Sequence, residues 1–198
     1  MPGTERLPRA ERRAQLIGVA AGAFLQRGYD NTSMEDVAQA AGVSRLIVYR
    51  VFESKADLYR TVLGTVLYDL GQQFVGLDPA DVHERGAAHI ILPVARAHPD
   101  AFRLLWRNAL REPEFASVAR ELRTYVTYYA REILQEFIAD EALLDWAARS
   151  AGAHLIDGLC NWLDDGDPSR DDEFATMLTN GLRALATAWS VSAPLPTP

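Results

Sequence analysis

From Asn31 to Leu58 the chain reads NTSMEDVAQAAGVSRLIVYRVFESKADL, and this stretch limits the possible folds more than any other. It holds two short helical patterns joined at Gly42 and a third that opens at Ser54. Thr32 or Ser33 can cap the first helix, because Glu35 and Asp36 each stand three residues beyond one of them, as in a capping box. Val37, Ala38 and Ala41 give that helix one apolar face. Gly42 supplies the backbone freedom that a sharp turn needs. Ser44 can cap the second helix, whose inward positions are Val48 and Val51. Ala38 is small where two steeply crossing helices must approach closely. This is the layout of a helix-turn-helix, whose second helix lies in the major groove of DNA.

On that layout Ser44, Arg45, Leu46, Tyr49 and Arg50 are expected to face the groove. Arg45 or Arg50 can engage guanine through O6 and N7, and Leu46 can touch a thymine methyl. Thr32 and Ser33 are expected at the DNA backbone as well as at the helix cap. Lys55 falls in the first turn of a helix, where a cation costs about 0.3–1 kcal/mol unless an anion is shared with free N–H groups. Lys55 and Arg45 are therefore expected to hold phosphate, against an ordinary reading of both as solvated surface cations. Arg9, Arg12 and Arg13 fit backbone contacts and a solvated face about equally, since Glu11 dilutes the patch.

Gly42-Val43-Ser44, Val48-Tyr49, Phe52 and Ser54-Lys55-Ala56-Asp57-Leu58 together resemble the DNA-binding domain of the TetR family of bacterial repressors. The likeness covers residues 9–75, including Phe24-Leu25-Gln26-Arg27-Gly28-Tyr29 at the end of a first helix. Two positions depart from it. Leu46 stands where the family often has a small residue, which alters which bases are read, and Val51 where an aromatic or His is common. The resemblance implies an all-α protein: an N-terminal three-helix DNA-binding domain, then a C-terminal helical domain for ligand binding and dimerisation. It also implies a homodimer on a palindromic double-stranded operator, a small-molecule effector, and repression ahead of activation. Tyr49 would then give its hydroxyl to a phosphate while its ring packs on the turn.

Charge is distributed accordingly. The whole chain carries −7, but residues 1–60 hold nine Arg or Lys against seven Asp or Glu, and the remainder eleven against twenty. A modestly basic head on an acidic body suits a DNA partner better than the net charge suggests. A single cysteine, Cys160, excludes an intrachain disulfide and suits a cytoplasmic location. No apolar run is long enough to span a membrane, so none is expected as a partner.

Breaks at Gly28, Gly42, Gly76-Leu77-Asp78-Pro79, His98-Pro99, Glu112-Pro113 and Gly166-Asp167-Pro168 divide the chain into about nine helices, with no convincing strand. The expected plan is a flexible arm over 1–8, the DNA-binding domain over 9–53, and a linking helix over 54–80. A ligand-binding and dimerisation domain over 81–192 and a frayed tail over 193–198 complete it. Body helices are expected over 81–97, 100–110, 114–138, 141–163 and 171–189.

In the last two, Phe174, Leu178, Gly181, Leu185 and Trp189 recur at helical spacing opposite Ile156 and Leu159, a candidate four-helix dimer interface. The same stripe also fits the protein's own core. Phe102, Trp106, Tyr125, Tyr128, Tyr129, His154 and Asn161 are the candidate ligand contacts, since buried hydroxyls, amides and rings on apolar helices need partners that a ligand can supply.

Catalysis and cofactors find no support. Cys160 and His154 are six residues apart on one helix and point in different directions. His83, His89 and His98 lack metal-ligand spacing, and the acidic run from Asp164 places its glycine wrongly for a calcium loop. An all-α protein-interaction adaptor is the remaining alternative, and salt-dependent affinity for duplex DNA separates the two.

Overall fold

Helix is the only regular structure among the residues that the computed structural model describes, 8–190. Apart from Pro8, the arm expected over 1–8 lies outside the described residues, as does the tail over 193–198. The elements are α1 (Arg9–Arg27), α2 (Met34–Ala40), α3 (Arg45–Val51), α4 (Lys55–Phe74) and α5 (Pro79–Arg85). Then follow α6 (Ala87–Ala97), α7 (Pro99–Arg103), α8 (Ala116–Leu134), α9 (Glu141–Asp165) and α10 (Asp171–Ser190). Ten α-helices therefore stand among the described residues where about nine were expected.

Two differences account for the body. The pattern over 81–97 is two helices, because Gly86 takes a φ of 82° between α5 and α6. The pattern over 100–110 is helical only to Arg103, then widens into a π-type turn over Leu104–Asn108 and a 3₁₀ turn over Ala109–Arg111.

The described residues divide into two packing units, one of 8–68 with 98–119, the other of 69–97 with 120–190. Residues 98–119 thus fall in the same unit as α1–α3, whereas the sequence plan placed them in the body.

In the first unit Leu16, Ala20 and Phe24 of α1, Val37 of α2, Val48 of α3, and Leu58, Tyr59 and Val62 of α4 are all buried. Beside these are Phe102, Leu104, Leu105 and Phe115. Phe24, Tyr29, Tyr59 and Phe115 form one aromatic cluster, with Tyr59 and Phe115 centred 4.4 Å apart. Burial, then the nearby Glu112 carboxylate, pushes the Tyr59 hydroxyl far above its ordinary range.

In the second unit α6, α9 and α10 pack through Ile90, Ile91, Leu155, Ile156, Leu159, Phe174 and Leu178. Arg96 of α6 fastens this packing: its guanidinium meets both oxygens of Asp171, the first residue of α10, at 2.8–3.0 Å. Trp162 Nε1 donates to the same carboxylate at 2.7 Å, and the Trp162 ring stacks on Phe174 at 4.5 Å. Arg96, and then Trp162, hold the Asp171 carboxyl below its ordinary value despite partial burial.

Among the described residues no helix is long and apolar enough to cross a membrane, and no group of three His, Cys, Asp or Glu is placed to hold a metal.

Candidate nucleic-acid interface

The interface begins with the packing of two seven-residue helices, too short to persist alone in water. Val37 and Ala38 of α2 and Val48 of α3 are buried, and Gly42 takes a φ of 65° in the turn between them. The Val43 N–H donates to the Ala38 carbonyl at 3.0 Å and closes that turn. Ser33 caps α2: its hydroxyl accepts from the Asp36 N–H at 3.1 Å, and its own N–H donates to Asp36 at 2.8 Å. The Ser33 hydroxyl in turn donates to the Asp36 carboxylate, and this bond, with the Ser33 N–H and then Arg27, keeps the Asp36 carboxyl below its ordinary value.

Thr32 is not the cap. It is 1% exposed, and its hydroxyl donates inward to the carbonyls of Gly28 at 2.8 Å and Ala23 at 3.3 Å. Its side chain has no surface to offer DNA. Ser44 occupies the N-cap position of α3 but makes no side-chain cap bond, so its expected capping role is absent. Its side chain stands exposed at the start of the helix.

Four side chains of α3 point outward together. Arg45, Leu46, Tyr49 and Arg50 are all exposed, Leu46 by 62%, at positions that share one helical face opposite Val48. Arg45 Nη2 donates to the Tyr49 hydroxyl at 3.4 Å, and the guanidinium carbon sits 5.1 Å from the centre of that ring. The Tyr49 hydroxyl, helped by Glu35, holds this guanidinium in its charged form more firmly than usual.

Lys55 has backbone partners within the head. Its ammonium donates to the Tyr29 carbonyl at 2.9 Å and to the Asp30 carbonyl at 3.4 Å. The ammonium at the start of α4 thus docks on carbonyl oxygens of the α1–α2 loop. Ser54 starts α4 as expected, its hydroxyl accepting from the Asp57 N–H at 3.1 Å. The N-terminal ends of α2 and α4 and the end of α3 enclose a cleft of about 500 Å³. Its walls include Ser33, Tyr49, Ser54 and Lys55, together with the carboxylates of Asp30 and Glu53.

The arginines of α1 brace this assembly. Arg12 donates to Gln15 at 2.6 Å, Gln15 reaches the Ala41 carbonyl at 3.4 Å, and Arg13 lies 5.3 Å from the centre of the Phe52 ring. Arg27 pairs with Asp36 at 2.8 Å. Sequence reasoning missed these braces because, apart from the Arg12–Gln15 bond within α1, each reaches from α1 to the end or side of another helix.

Residues 16–62 match the family model described as bacterial regulatory proteins, tetR family. Over these residues the chain is similar to the TetR family. The TetR-type head is 48% identical over 58 residues to the HTH-type transcriptional activator FasR of Mycolicibacterium smegmatis, a match of 29% of this chain and 26% of that protein. It is 41% identical over 56 residues to the HTH-type transcriptional regulator TtgR of Pseudomonas putida, covering 28% of this chain and 27% of the relative. The matched segment thus spans about a quarter of the length of these curated relatives.

Solved structures extend the likeness along the chain. A TetR-like transcriptional regulator from Rhodococcus sp. RHA1 superposes with a TM-score of 0.72 at 22% identity, covering 91% of this chain and 99% of that one, and shows the shared fold. A tetR-family transcriptional regulator from Streptomyces coelicolor has a TM-score of 0.60 at 26% identity, covering 92% of this chain and 85% of that one.

Sequence-expected residues of the body scatter. Phe102 and Trp106 are buried in the first unit, whereas His154 and Asn161 are exposed on α9 in the second. Tyr125 and Tyr128 are 57% and 50% exposed, so their hydroxyls are not the buried groups the sequence suggested. Tyr129 does cluster: its ring lies 5.0 Å from Phe74 and 5.3 Å from Tyr128, and its hydroxyl donates to the Leu77 carbonyl at 3.4 Å. Of the expected dimer residues, Ile156, Leu159, Phe174 and Leu178 are buried within their own chain and have no face for a partner. Gly181 is exposed, and Leu185 and Trp189 are half-buried.

Proposed function

We propose that the protein is a transcriptional regulator that binds a palindromic duplex operator as a homodimer and represses by occupying it. One observation carries the reading: α3 buries Val48 in the head and presents Arg45, Leu46, Tyr49 and Arg50 outward on one face. Such a helix enters the major groove with its side chains against base edges. Ser33 and the cleft beside Tyr49 and Ser54 then meet the sugar-phosphate backbone, which fixes register without reading sequence.

A single head is small, and pairing two sets the recognition helices about 34 Å apart, one turn of DNA. The dimer face we assign replaces the buried stripe. Met177, Gly181, Ala184 and Ala188 recur at four, three and four residues on the exposed side of α10, where a Cβ at Gly181 meets nothing within 4 Å. Small residues at that spacing let two helices approach closely.

The effector seat we assign is the ring cluster of Phe74, Tyr128 and Tyr129, with Tyr125 one turn earlier on α8. It suits an apolar or aromatic molecule with a polar group for a tyrosine hydroxyl. To switch anything, that molecule must bind the DNA-competent and DNA-incompetent forms unequally.

Fluorescence anisotropy tests the reading, using a duplex from upstream of the gene and a scrambled duplex of equal length at two salt concentrations. Sequence-selective binding, abolished by combining Arg45→Ala with Tyr49→Phe, is the expected result. Absence of binding to any duplex at low salt would falsify it and favour an interaction adaptor.

A further inference from the structure

Glu35 serves neither the cap of α2 nor the core. The sequence allowed two capping pairs, and the structure uses Ser33 with Asp36, which releases Glu35 to the surface. Its carboxylate then lies 3.8 Å from Arg45 Nε on the neighbouring helix. One guanidinium is held three ways: by Glu35 at its Nε edge, by the Tyr49 hydroxyl at Nη2, and by the Tyr49 ring beside it. The side chains of Arg45 and Glu35 are 61% and 69% exposed, and ion pairs so exposed contribute little to folding. What the arrangement does provide is orientation. An arginine fork already held in one pose loses less freedom when it docks, and guanine recognition needs two N–H groups aimed together at O6 and N7.

We infer that Glu35 is a positioning residue for base recognition, holding the Arg45 guanidinium so that its remaining N–H edge meets a guanine. The inference rests on the DNA-regulator reading. On the right sequence Arg45 satisfies the base while keeping its carboxylate partner. On a wrong one the guanidinium is drawn to phosphate, and Glu35 is left unpaired beside a polyanion. Discrimination then comes partly from the penalty against the wrong duplex.

The test begins with duplexes that the full-length wild-type protein enriches from a random-sequence library. The enriched duplex and its single-base-pair variants are titrated against wild type, E35Q, E35D, R45A and E35Q/R45A. E35Q is expected to lose roughly tenfold of discrimination at one base pair, the pair to which R45A becomes indifferent. Its affinity for a scrambled duplex should hold or rise. E35D should recover part of the discrimination, and E35Q should change nothing further once Arg45 is alanine. A uniform loss across all duplexes, or a lower melting temperature with discrimination kept, would make Glu35 a structural acid of α2 and overturn the inference. A wild-type protein that enriches no sequence overturns the regulator reading and this inference together.

Discussion

The Lys55 ammonium donates to the Tyr29 carbonyl at 2.9 Å and lies 4.3 Å from the centre of the Tyr29 ring. The contact pins the first turn of α4 to the loop that follows α1, and the carbonyls and ring offset the unfavourable placing of a cation at a helix start. Lys55→Met should destabilise the protein by about 1–3 kcal/mol, seen as a lower urea midpoint. The slope of log affinity against log salt should stay at the wild-type value, because this ammonium is engaged by backbone carbonyls. A slope smaller by about one would return Lys55 to the DNA.

Asp171 ties acid stability to the α6–α9–α10 packing. Its carboxyl is held below the ordinary value by Arg96, so its contribution is complete above the unfolded-state pKa of about 3.9 and fades as pH falls toward the folded-state value. Asp171→Asn should flatten the decline of melting temperature below about pH 4 while lowering the neutral-pH value. Asp171→Ala leaves Arg96 and Trp162 without their acceptor, and should cost about 1–3 kcal/mol at neutral pH in urea unfolding.

Thr32 separates folding from DNA contact. Thr32→Val keeps the shape but removes the hydroxyl bonds to Gly28 and Ala23, and should cost about 1 kcal/mol of stability. DNA affinity, measured well below the melting temperature, should be unchanged. A large affinity loss in a folded variant would place this hydroxyl at the DNA after all.

Gly86 is constrained twice. Its φ of 82° disfavours any side chain, and a Cβ there would run into Thr179, meeting Cγ2 at 2.7 Å. Gly86→Ala should destabilise by about 2 kcal/mol or more, and adding Thr179→Ala should recover only the steric part. Thermal unfolding of the single and double variants decides it.

The head was legible because its turn leaves marks in a short span: Gly42 for the left-handed backbone, Ser33 and Asp36 for the cap, Val37 and Val48 for the shared core. Other features have sequence signals that point two ways. Thr32 and Ser33 each stand three residues before an acid, and only packing decides which turns inward. Lys55 signalled a partner for its charge, and nothing in the local sequence points to the carbonyl twenty-six residues earlier that the ammonium meets. Phe174 and Leu178 have the spacing of an interface and of a core alike, and α6 and α9 cover them first. In the body, a tyrosine on a helix gives no hint of whether its hydroxyl ends in solvent, as with Tyr125, or on a backbone carbonyl, as with Tyr129.

The brevity of α3 has a consequence for how such a protein can change. Seven residues form no helix by themselves, so the recognition element borrows its shape from Val48, Phe52 and the α2 packing beneath it. Its outward positions contribute almost nothing to that shape. On the proposed reading, Arg45, Leu46 and Arg50 can therefore mutate toward a new operator without passing through unfolded intermediates, while a single loss at Val48 would silence every operator at once.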